Sequence, residues 1–257
     1  MRRFFVDRIP SKGELLTIKG AEAGHIHRVL RMGPGVRILL MDENGSRGEA
    51  VIEAASRLEV RVRIDKALPA PPTSPVKITL CQALLKAGAM DLMIQKASEL
   101  GVHEIQTFSC ERTVIRLNPE KSERKTGHWR EIAVNASKQS NRAAPPRVTP
   151  PCTLAQLVER WRNEKSLKLF LWEDEDTKDL KGLLRGSAPV EGVVGIVGPE
   201  GGFSAEEAAM VRKGGFTSVS LGRRTLRSET AAIAFLAILQ YEWGDLSLQE
   251  CINGVQE

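Results

Sequence analysis

The sequence predicts an α/β protein in which a small N-terminal β-barrel precedes a larger domain with a largely parallel sheet. Four prolines fall between positions 69 and 75, within "KALPAPPTSPV", and such a run can continue neither a helix nor a central strand. Before it, apolar strand-like segments are separated by turns. After it, strand-like and helix-like segments alternate, which is typical of a parallel sheet. We therefore expect two domains, residues 1–70 and residues 71–257.

The β-barrel of the first domain is predicted from a meander. Residues 36–41 form an apolar segment, Asn44-Gly45 is a tight-turn pair, and two further strands end in the alternating "EVRVRI". A helical segment before the meander, "AGHIHRVLRMGPG", ends at Gly33-Pro34. Its two histidines are two positions apart and cannot share a helix face, so we do not expect a metal site there.

The positive charge of the chain is concentrated in two zones. The net charge is +5, and residues 1–70 carry +4 of it, with 13 Lys and Arg against 9 Asp and Glu. Residues 111–150 hold nine Lys and Arg against four Glu, a local +5. Such zones attract polyanions, and Arg28 and Arg31 in the first zone are candidates for contact with RNA phosphates. A solvated basic surface explains the charge equally well.

Other classes of protein are disfavoured by what the sequence lacks. No apolar run approaches the roughly 18 residues needed to span a membrane, and no apolar segment follows the basic start, so a cytoplasmic protein is expected. The four cysteines, at positions 81, 110, 152 and 251, are widely scattered without a C-x-x-C pair. Structural disulfides and a metal site are therefore not expected.

The second domain shows five strand-like and four helix-like segments. Strands are predicted at 76–81, 102–108, 167–172, 193–197 and 217–221, and helices at 89–100, 121–141, 154–163 and 205–213. Ser204 and Glu207 form a capping box at the start of the last of these helices, and Gly214-Gly215 closes it. A further segment, residues 231–239, is apolar on every side. It must be buried all round, by its own domain or by a partner subunit.

Two loops follow neighbouring predicted strands and are the candidate ligand site. The first lies in "GIVGPEGGFSAEEAAM", residues 195–210, and its glycines would let backbone groups approach a ligand closely. The second is "LGRRTLRSETAA", residues 221–232. Ligands of parallel sheets bind at the carboxyl ends of strands. The chain has neither the Walker A string nor the G-x-G-x-x-G dinucleotide turn, so the common nucleotide folds are disfavoured. A plain strand-to-helix corner is the alternative.

"GPEGGFSAEE" followed about twenty residues later by "LGRRTLRSETA" resembles the signature of RsmE-type 16S ribosomal RNA uridine N3-methyltransferases, of the SPOUT superfamily. Four other segments agree in the right order: "HRVLRMGPG", "QKASELGV", "ERTV" and "KQSNR". The resemblance covers nearly the whole chain. It implies a PUA-like N-terminal barrel that helps to hold RNA and a SPOUT domain whose C-terminal third forms a trefoil knot, an exception to the rule against knotted chains. It also implies S-adenosylmethionine in the loops of the knot, 16S ribosomal RNA or the small ribosomal subunit as partner, and a homodimer.

The resemblance and the chemistry of methyl transfer together nominate site residues. In-line transfer from a sulfonium requires alignment, and the acceptor N3 must lose its proton. Arg227 and Arg142 are candidates for stabilising the uridine anion. Glu229 is the candidate base. Its alternative role, an acid in the first turn that stabilises the last helix, is expected equally. Cofactor contacts are expected from Leu171, Gly198, Pro199, Glu200, Gly201, Gly202, Leu221, Gly222, Leu226 and Thr230. RNA contacts are expected from Arg3, Arg28, Arg31 and Arg112.

Two further functions stay open from the sequence. One is a SPOUT methyltransferase that modifies another RNA, such as transfer RNA, or a ribose hydroxyl. The other is a protein that keeps the fold and binds RNA without catalysis. The two glycine-containing loops argue against the second alternative, and the N-terminal "RVLR" favours the ribosomal uridine enzyme over the first.

Overall fold

A computed structural model of the chain describes residues 1–42, 44–70 and 73–246, so Cys251 lies outside the described residues. The chain forms two compact units. The first comprises Met1–Thr73 together with Ser137–Pro145, and the second comprises Ser74–Ala136 and the chain from Pro146 onward. The structure thus adds an internal segment, 137–145, to the unit that the sequence places at residues 1–70.

The first unit contains a curled sheet of five strands. They are β1 (Arg2–Phe5), β2 (Leu15–Lys19), β3 (Arg37–Met41), β4 (Arg47–Ala55) and β5 (Glu59–Leu68). Their order is β1-β3-β4-β5-β2, with β1 parallel to β3 and the other pairs antiparallel. Two register shifts between β4 and β5 bend these strands. The predicted β-barrel is therefore a half-barrel, since the edge strands β1 and β2 do not pair with each other.

Alternation along β5 explains the inner face of this sheet. Val60, Val62 and Ile64 are buried, whereas Arg61 and Arg63 between them are exposed. The sheet packs against α1 (Gly20–Gly24), which continues as a π-helical turn, His25–Val29. Ile26 on this turn is fully buried in the same core.

The segment 137–145 is anchored in the first unit by Lys138. The ammonium group of Lys138 pairs with the carboxylate of Glu22 and lies 5.9 Å from the centre of the Phe5 ring. Arg3 donates a hydrogen bond of 3.2 Å to the Lys138 carbonyl oxygen. Burial lowers the pKa of Lys138 from its ordinary value.

The second unit contains a parallel sheet of six strands with helices on its faces. The strands are β6 (Lys77–Ala83), β7 (Glu104–Ser109), β8 (Arg147–Thr153), β9 (Leu167–Leu171), β10 (Gly192–Val197) and β11 (Thr217–Val219). The helices are α2 (Ala87–Glu99), α3 (Pro119–Ser140), α4 (Leu154–Trp161), α5 (Leu180–Arg185), α6 (Ala205–Lys213) and α7 (Ser228–Trp243). The strand order is β11-β9-β10-β6-β7-β8. This confirms the predicted α/β class and parallel sheet; β8 and α5 were not predicted. The threading of a knot stays a prediction.

Helix α7 is not buried all round by its own domain, which was one of the two alternatives that the sequence left open. Phe235 is fully buried and packs directly against Gly195 of β10, where no side chain would fit. Further along the helix, Ile238 is 38% exposed and Tyr241 is 74% exposed. The helix therefore has its buried residues in the core, while Ile238 and Tyr241 stay uncovered by the described chain.

Two features are absent from the residues that the structure describes. None of the helices found there is long and apolar enough to cross a membrane. The same part of the chain holds no group of three or more His, Cys, Asp or Glu side chains that could bind a metal ion.

Candidate active site

A cavity of about 360 Å³ opens at the carboxyl ends of β9, β10 and β11, and we call it the first cavity. Its wall is formed at and directly after the end of each of these strands. The lining comprises residues 171–173, Val197 with the glycine loop 198–203 apart from Gly201, and the loop 219–228. These strands are neighbours in the parallel sheet, so their loops converge at one edge. The location agrees with the general rule for ligand sites of parallel sheets.

Glycine is required at two positions of the glycine loop. Gly202 has a φ of +69°, and a Cβ atom there would overlap the carboxylate of Glu173. A Cβ atom at Gly198 would lie 2.6 Å from the ring of Phe203. The loop ends in the predicted capping box, which is confirmed: the Ser204 hydroxyl accepts from the Glu207 N–H, and the Glu207 carboxylate accepts from the Ser204 N–H.

The second loop places basic side chains at the cavity. Arg223, Arg224 and Arg227 are exposed, and all three line it. Gly222 has a φ of +115°, which L-residues with side chains rarely adopt. The loop ends at Arg227, whose extended backbone forms the N-cap of α7. The backbone of Arg227 is therefore fixed at the start of a helix, and its side chain lines the cavity.

One buried amide connects the two loops. Gln82, at the end of β6, is fully buried, and its Nε2 donates to the Ser228 hydroxyl at 2.9 Å and to the Gly198 carbonyl at 3.5 Å. The Ser228 hydroxyl in turn donates to the Gly198 carbonyl oxygen. The first residue of the glycine loop and the first residue of α7 thus share one anchor. Sequence reasoning missed Gln82, because a single glutamine within an apolar strand carries no local signal of function.

The predicted cofactor residues all line the first cavity except Gly201 and Thr230. Gly201 is exposed, and a Cβ atom there would lie 3.2 Å from Cβ of Arg112. The Arg112 guanidinium donates a hydrogen bond of 3.0 Å to the Gly201 carbonyl oxygen. Arg112, nominated for RNA contact, is therefore attached to the glycine loop. Thr230 is exposed on the first turn of α7.

The three nominated catalytic residues stand on different segments of the chain. Arg227 lines the first cavity, whereas Glu229 is half-buried in the first turn of α7 and is not among the lining residues. Arg142 belongs to the first unit and does not line the cavity either. The position of Glu229 suits the alternative role of a first-turn acid that stabilises the helix.

Two further lining residues, Trp172 and Glu173, were not nominated from the sequence. Glu173 lines the first cavity, and so does Trp172, which is half-buried and has the Arg212 guanidinium 4.6 Å from its ring. The indole N–H of Trp172 is buried without a hydrogen-bond partner among the described residues. Glu200 and Glu173 supply carboxylates, and Leu171, Val197, Val219, Leu221 and Leu226 supply apolar wall.

The side chains nominated for RNA contact in the first unit differ in exposure. Arg28 and Arg31 are exposed on and after the π-helical turn, and Arg31 has a φ of 51°. Arg3 is half-buried and bonded to the Lys138 carbonyl. Only Arg28 and Arg31 are therefore fully open to a polyanion.

Two protein families match this chain. The family described as RNA methyltransferase domain matches residues 72–240, and the family described as RNA methyltransferase PUA domain matches residues 18–65. Ribosomal RNA small subunit methyltransferase E of Mycobacterium bovis is 30% identical over 253 residues, which cover 96% of this chain and 95% of that protein. The enzyme of the same name from Bacillus subtilis is 27% identical, over 94% of this chain and 97% of that protein.

Solved structures agree in fold over almost the whole length. Ribosomal RNA small subunit methyltransferase E of Neisseria gonorrhoeae, solved with S-adenosyl methionine bound, has a TM-score of 0.89 and 30% identity, covering 96% of this chain and 100% of that chain. A methyltransferase from Legionella pneumophila, in complex with the bound cofactor SAM, has a TM-score of 0.87 and 35% identity, covering 95% and 98%.

Proposed function

This chain belongs to the ribosomal RNA small subunit methyltransferase E family, and on this premise we propose that it transfers the methyl group of S-adenosylmethionine to N3 of a uridine in 16S ribosomal RNA. The Legionella pneumophila and Neisseria gonorrhoeae structures hold this cofactor, and they cover 95% and 96% of this chain. The observation that carries the proposal is the first cavity itself. Its two loops are the ones that the family resemblance nominates, and Gln82 ties them together.

The residues of the first cavity suit S-adenosylmethionine. The apolar wall from Leu171 to Leu226 can receive the adenine ring, and the glycine loop exposes backbone groups for polar contact. The carboxylates of Glu173 and Glu200 can attract the positively charged amino or sulfonium group, or accept from ribose hydroxyls. The buried indole N–H of Trp172 has no partner among the described residues and is one donor left for a ligand.

The bound cofactor supplies a methyl group that is already activated by its sulfonium. The work left to the chain is to align the acceptor and to favour its anion, since N3 of neutral uracil offers no free lone pair. Arg227 is proposed to stabilise negative charge on the uracil ring as the N3 proton leaves, because its side chain lines the cavity and its backbone is fixed as the N-cap of α7. Proton acceptance is not assigned to Glu229, which does not line the cavity, and Arg142 is not given a catalytic role.

RNA binding is proposed for the exposed arginines of the first unit. Arg28 and Arg31 are open to phosphates, and the pocket beside the π-helical turn is lined by both Arg28 and Arg57. Such contacts would hold the RNA without reading its sequence. The cytoplasm, where ribosomal subunits are assembled, is the proposed location.

A homodimer is also proposed. Ile238 and Tyr241 on α7 and Leu92 on α2 are apolar or aromatic side chains exposed by 38%, 74% and 43%. Helices α2 and α7 pack against each other, so these three residues lie on neighbouring helices of the second unit. A second copy of this chain would cover them.

The decisive experiment is a transfer reaction with labelled S-adenosylmethionine and an unmodified transcript of 16S ribosomal RNA, or small subunits that lack the modification. Nucleosides from the digested RNA are then identified by mass spectrometry. We expect one 3-methyluridine at a single position. A methylated ribose, a product only in transfer RNA, or cofactor binding without transfer to any RNA would contradict the proposal.

A further inference from the structure

A second cavity, of about 270 Å³, lies in the second unit at the same edge of the sheet as the first cavity. Leu84, Ser109 and Thr153 line it, and they stand at or directly after the ends of β6, β7 and β8. In the strand order, these three strands directly follow the three that end at the first cavity. The carboxyl edge of one parallel sheet therefore carries two cavities in sequence.

The loop after β7 lines the second cavity and is hydrogen-bonded to the glycine loop and to α6. Cys110 and Thr113 line the second cavity, and reciprocal hydrogen bonds of 2.9 and 3.1 Å between them close a turn. The intervening residues reach the glycine loop and helix of the first cavity. The Glu111 N–H donates to the Glu207 carboxylate at 2.8 Å, and the Arg112 guanidinium donates to the Gly201 carbonyl at 3.0 Å. One short loop therefore connects the lining of the second cavity with the glycine loop.

The lining of the second cavity favours an anion. Arg116 is its only charged lining residue, it is exposed, and it makes no ion pair with any residue that the structure describes. Among the described residues, no carboxylate lines the cavity. The thiols of Cys110 and Cys152 also line it, and burial raises the pKa of both, so neither carries negative charge at neutral pH.

Hydroxyl groups complete this lining. Ser109 and Ser122 are half-buried, and their hydroxyls have no hydrogen-bond partner among the described residues. One guanidinium with neighbouring free hydroxyls is the usual combination for phosphate oxygens. A free nucleotide or an RNA strand could offer this group. The RNA strand is favoured over a free nucleotide. Its uridine must enter the neighbouring first cavity, so the RNA backbone has to pass over the carboxyl edge of the sheet.

We infer that the second cavity, through Arg116, Ser109 and Ser122, binds a backbone phosphate of the RNA strand whose uridine enters the first cavity. This inference rests on the proposed function and extends it by naming where the substrate strand is held in the second unit. The site is a phosphodiester site, so it positions RNA and does not read its sequence.

The test compares two variants that each remove one positive charge. Arg116→Ala removes the proposed phosphate contact, and Arg124→Ala removes an exposed arginine of α3 that does not line the cavity. Both side chains are exposed, so both variants should fold, which thermal unfolding would verify. The probes are an unmodified 16S ribosomal RNA transcript and S-adenosylhomocysteine. For Arg116→Ala we expect about tenfold weaker RNA binding and a log–log salt slope smaller by about 0.7 to 0.9, with unchanged S-adenosylhomocysteine affinity. Arg116→Lys should recover part of the loss.

Alkylation of Cys152 gives a readout at the cavity itself. The transcript should slow its modification, followed by peptide mass spectrometry, in the wild type and in Arg124→Ala but much less in Arg116→Ala. Equal RNA affinity of the two alanine variants, or no protection of Cys152, would overturn the inference. So would saturable binding of inorganic phosphate that Arg116→Ala abolishes, since it would identify a free-phosphate site. Methyl transfer by the wild type is measured on the same transcript. Absence of transfer would contradict the proposed function, whereas the affinities of the variants test the phosphate site.

Discussion

The hydrogen bond between Gln82 and Ser228 joins residues 146 positions apart over 2.9 Å. Gln82 ends a central strand of the parallel sheet, and Ser228 opens α7. Both side chains also reach the carbonyl oxygen of Gly198, where the glycine loop begins. The relative position of the two loops of the first cavity is therefore set by a side chain that does not itself line that cavity.

Replacement of Gln82 should weaken cofactor binding. In Gln82→Leu the Ser228 hydroxyl and the Gly198 carbonyl lose a buried partner, at a cost of about 1–3 kcal/mol. We expect about tenfold lower affinity for S-adenosylhomocysteine by calorimetry. Gln106→Leu is the matched control, because Gln106 is also buried but bonds to Thr107, Pro150 and Arg160. Equal affinity losses in the two variants would show that Gln82 acts only through stability.

The two central glycines of the glycine loop should respond differently to a methyl group. Gly202→Ala forces a side chain onto a backbone with φ of +69° and against Glu173, which lines the first cavity. We expect its affinity for S-adenosylhomocysteine to fall by about tenfold or more, from strain of about 1–3 kcal/mol. In Gly201→Ala the added methyl faces Arg112 outside the cavity, so affinity should change by less than about threefold. The reverse order would contradict this geometry.

Arg227 should matter for transfer more than for cofactor binding. Arg227→Ala is expected to lower the single-turnover methyl-transfer rate by about a hundredfold at saturating RNA, because charge on the reacting base loses its partner. Affinity for S-adenosylhomocysteine should stay within about threefold, since the cofactor contacts lie in the loops. Arg227→Lys should restore part of the rate. An unchanged rate in Arg227→Ala would remove this residue from the mechanism.

The exposed side of α7 should carry the proposed dimer contact. Tyr241→Asp is expected to convert a particle of about twice 28.3 kDa into a folded monomer, measured by sedimentation. Phe235→Asp should unfold the second unit instead, because Phe235 is fully buried against Gly195. A wild type that sediments as a monomer, or a Tyr241→Asp variant that stays dimeric, would refute this interface.

Glu175 should make the protein sensitive to acid. Hydrogen bonds from the Ser218 hydroxyl and then from Thr177 lower the pKa of Glu175 to about 2. A lowered pKa stabilises the fold above the ordinary pKa of 4.5, and this stabilisation is lost as the pH falls toward 2. Urea unfolding at about pH 5 and about pH 3 should show a smaller loss of stability in Glu175→Gln than in the wild type. Equal losses would contradict the assignment.

The loops of the first cavity could be predicted from the sequence because their signals are local. Glycines that need unusual backbone angles and the capping box of Ser204 and Glu207 lie within a few positions of each other. Gln82 could not be found in this way, since its partners stand 116 and 146 positions away. Glu173 belongs to a run of charged residues, a pattern typical of solvated surface. Only the fold places its carboxylate beside Gly202.

Strand β8 was missed for a related reason. Its sequence, "RVTPPCT", contains two prolines, which lack the N–H that a central strand must donate. The structure places β8 at the edge of the sheet, where one side needs no partner and proline is tolerated. Edge position is a property of the assembled sheet, so local sequence rules cannot supply it.

The discontinuity of the first unit has a consequence for the order of folding during synthesis. Residues 1–73 leave the translating ribosome first, but the unit also needs 137–145, whose Lys138 pairs with Glu22. Synthesis adds roughly 5–20 residues per second, so several seconds pass between the synthesis of residue 73 and that of residues 137–145. During that interval β6, α2 and β7 have already emerged. A fragment cut after residue 73 reproduces the waiting state, and only a fusion that supplies 137–145 reproduces the finished unit.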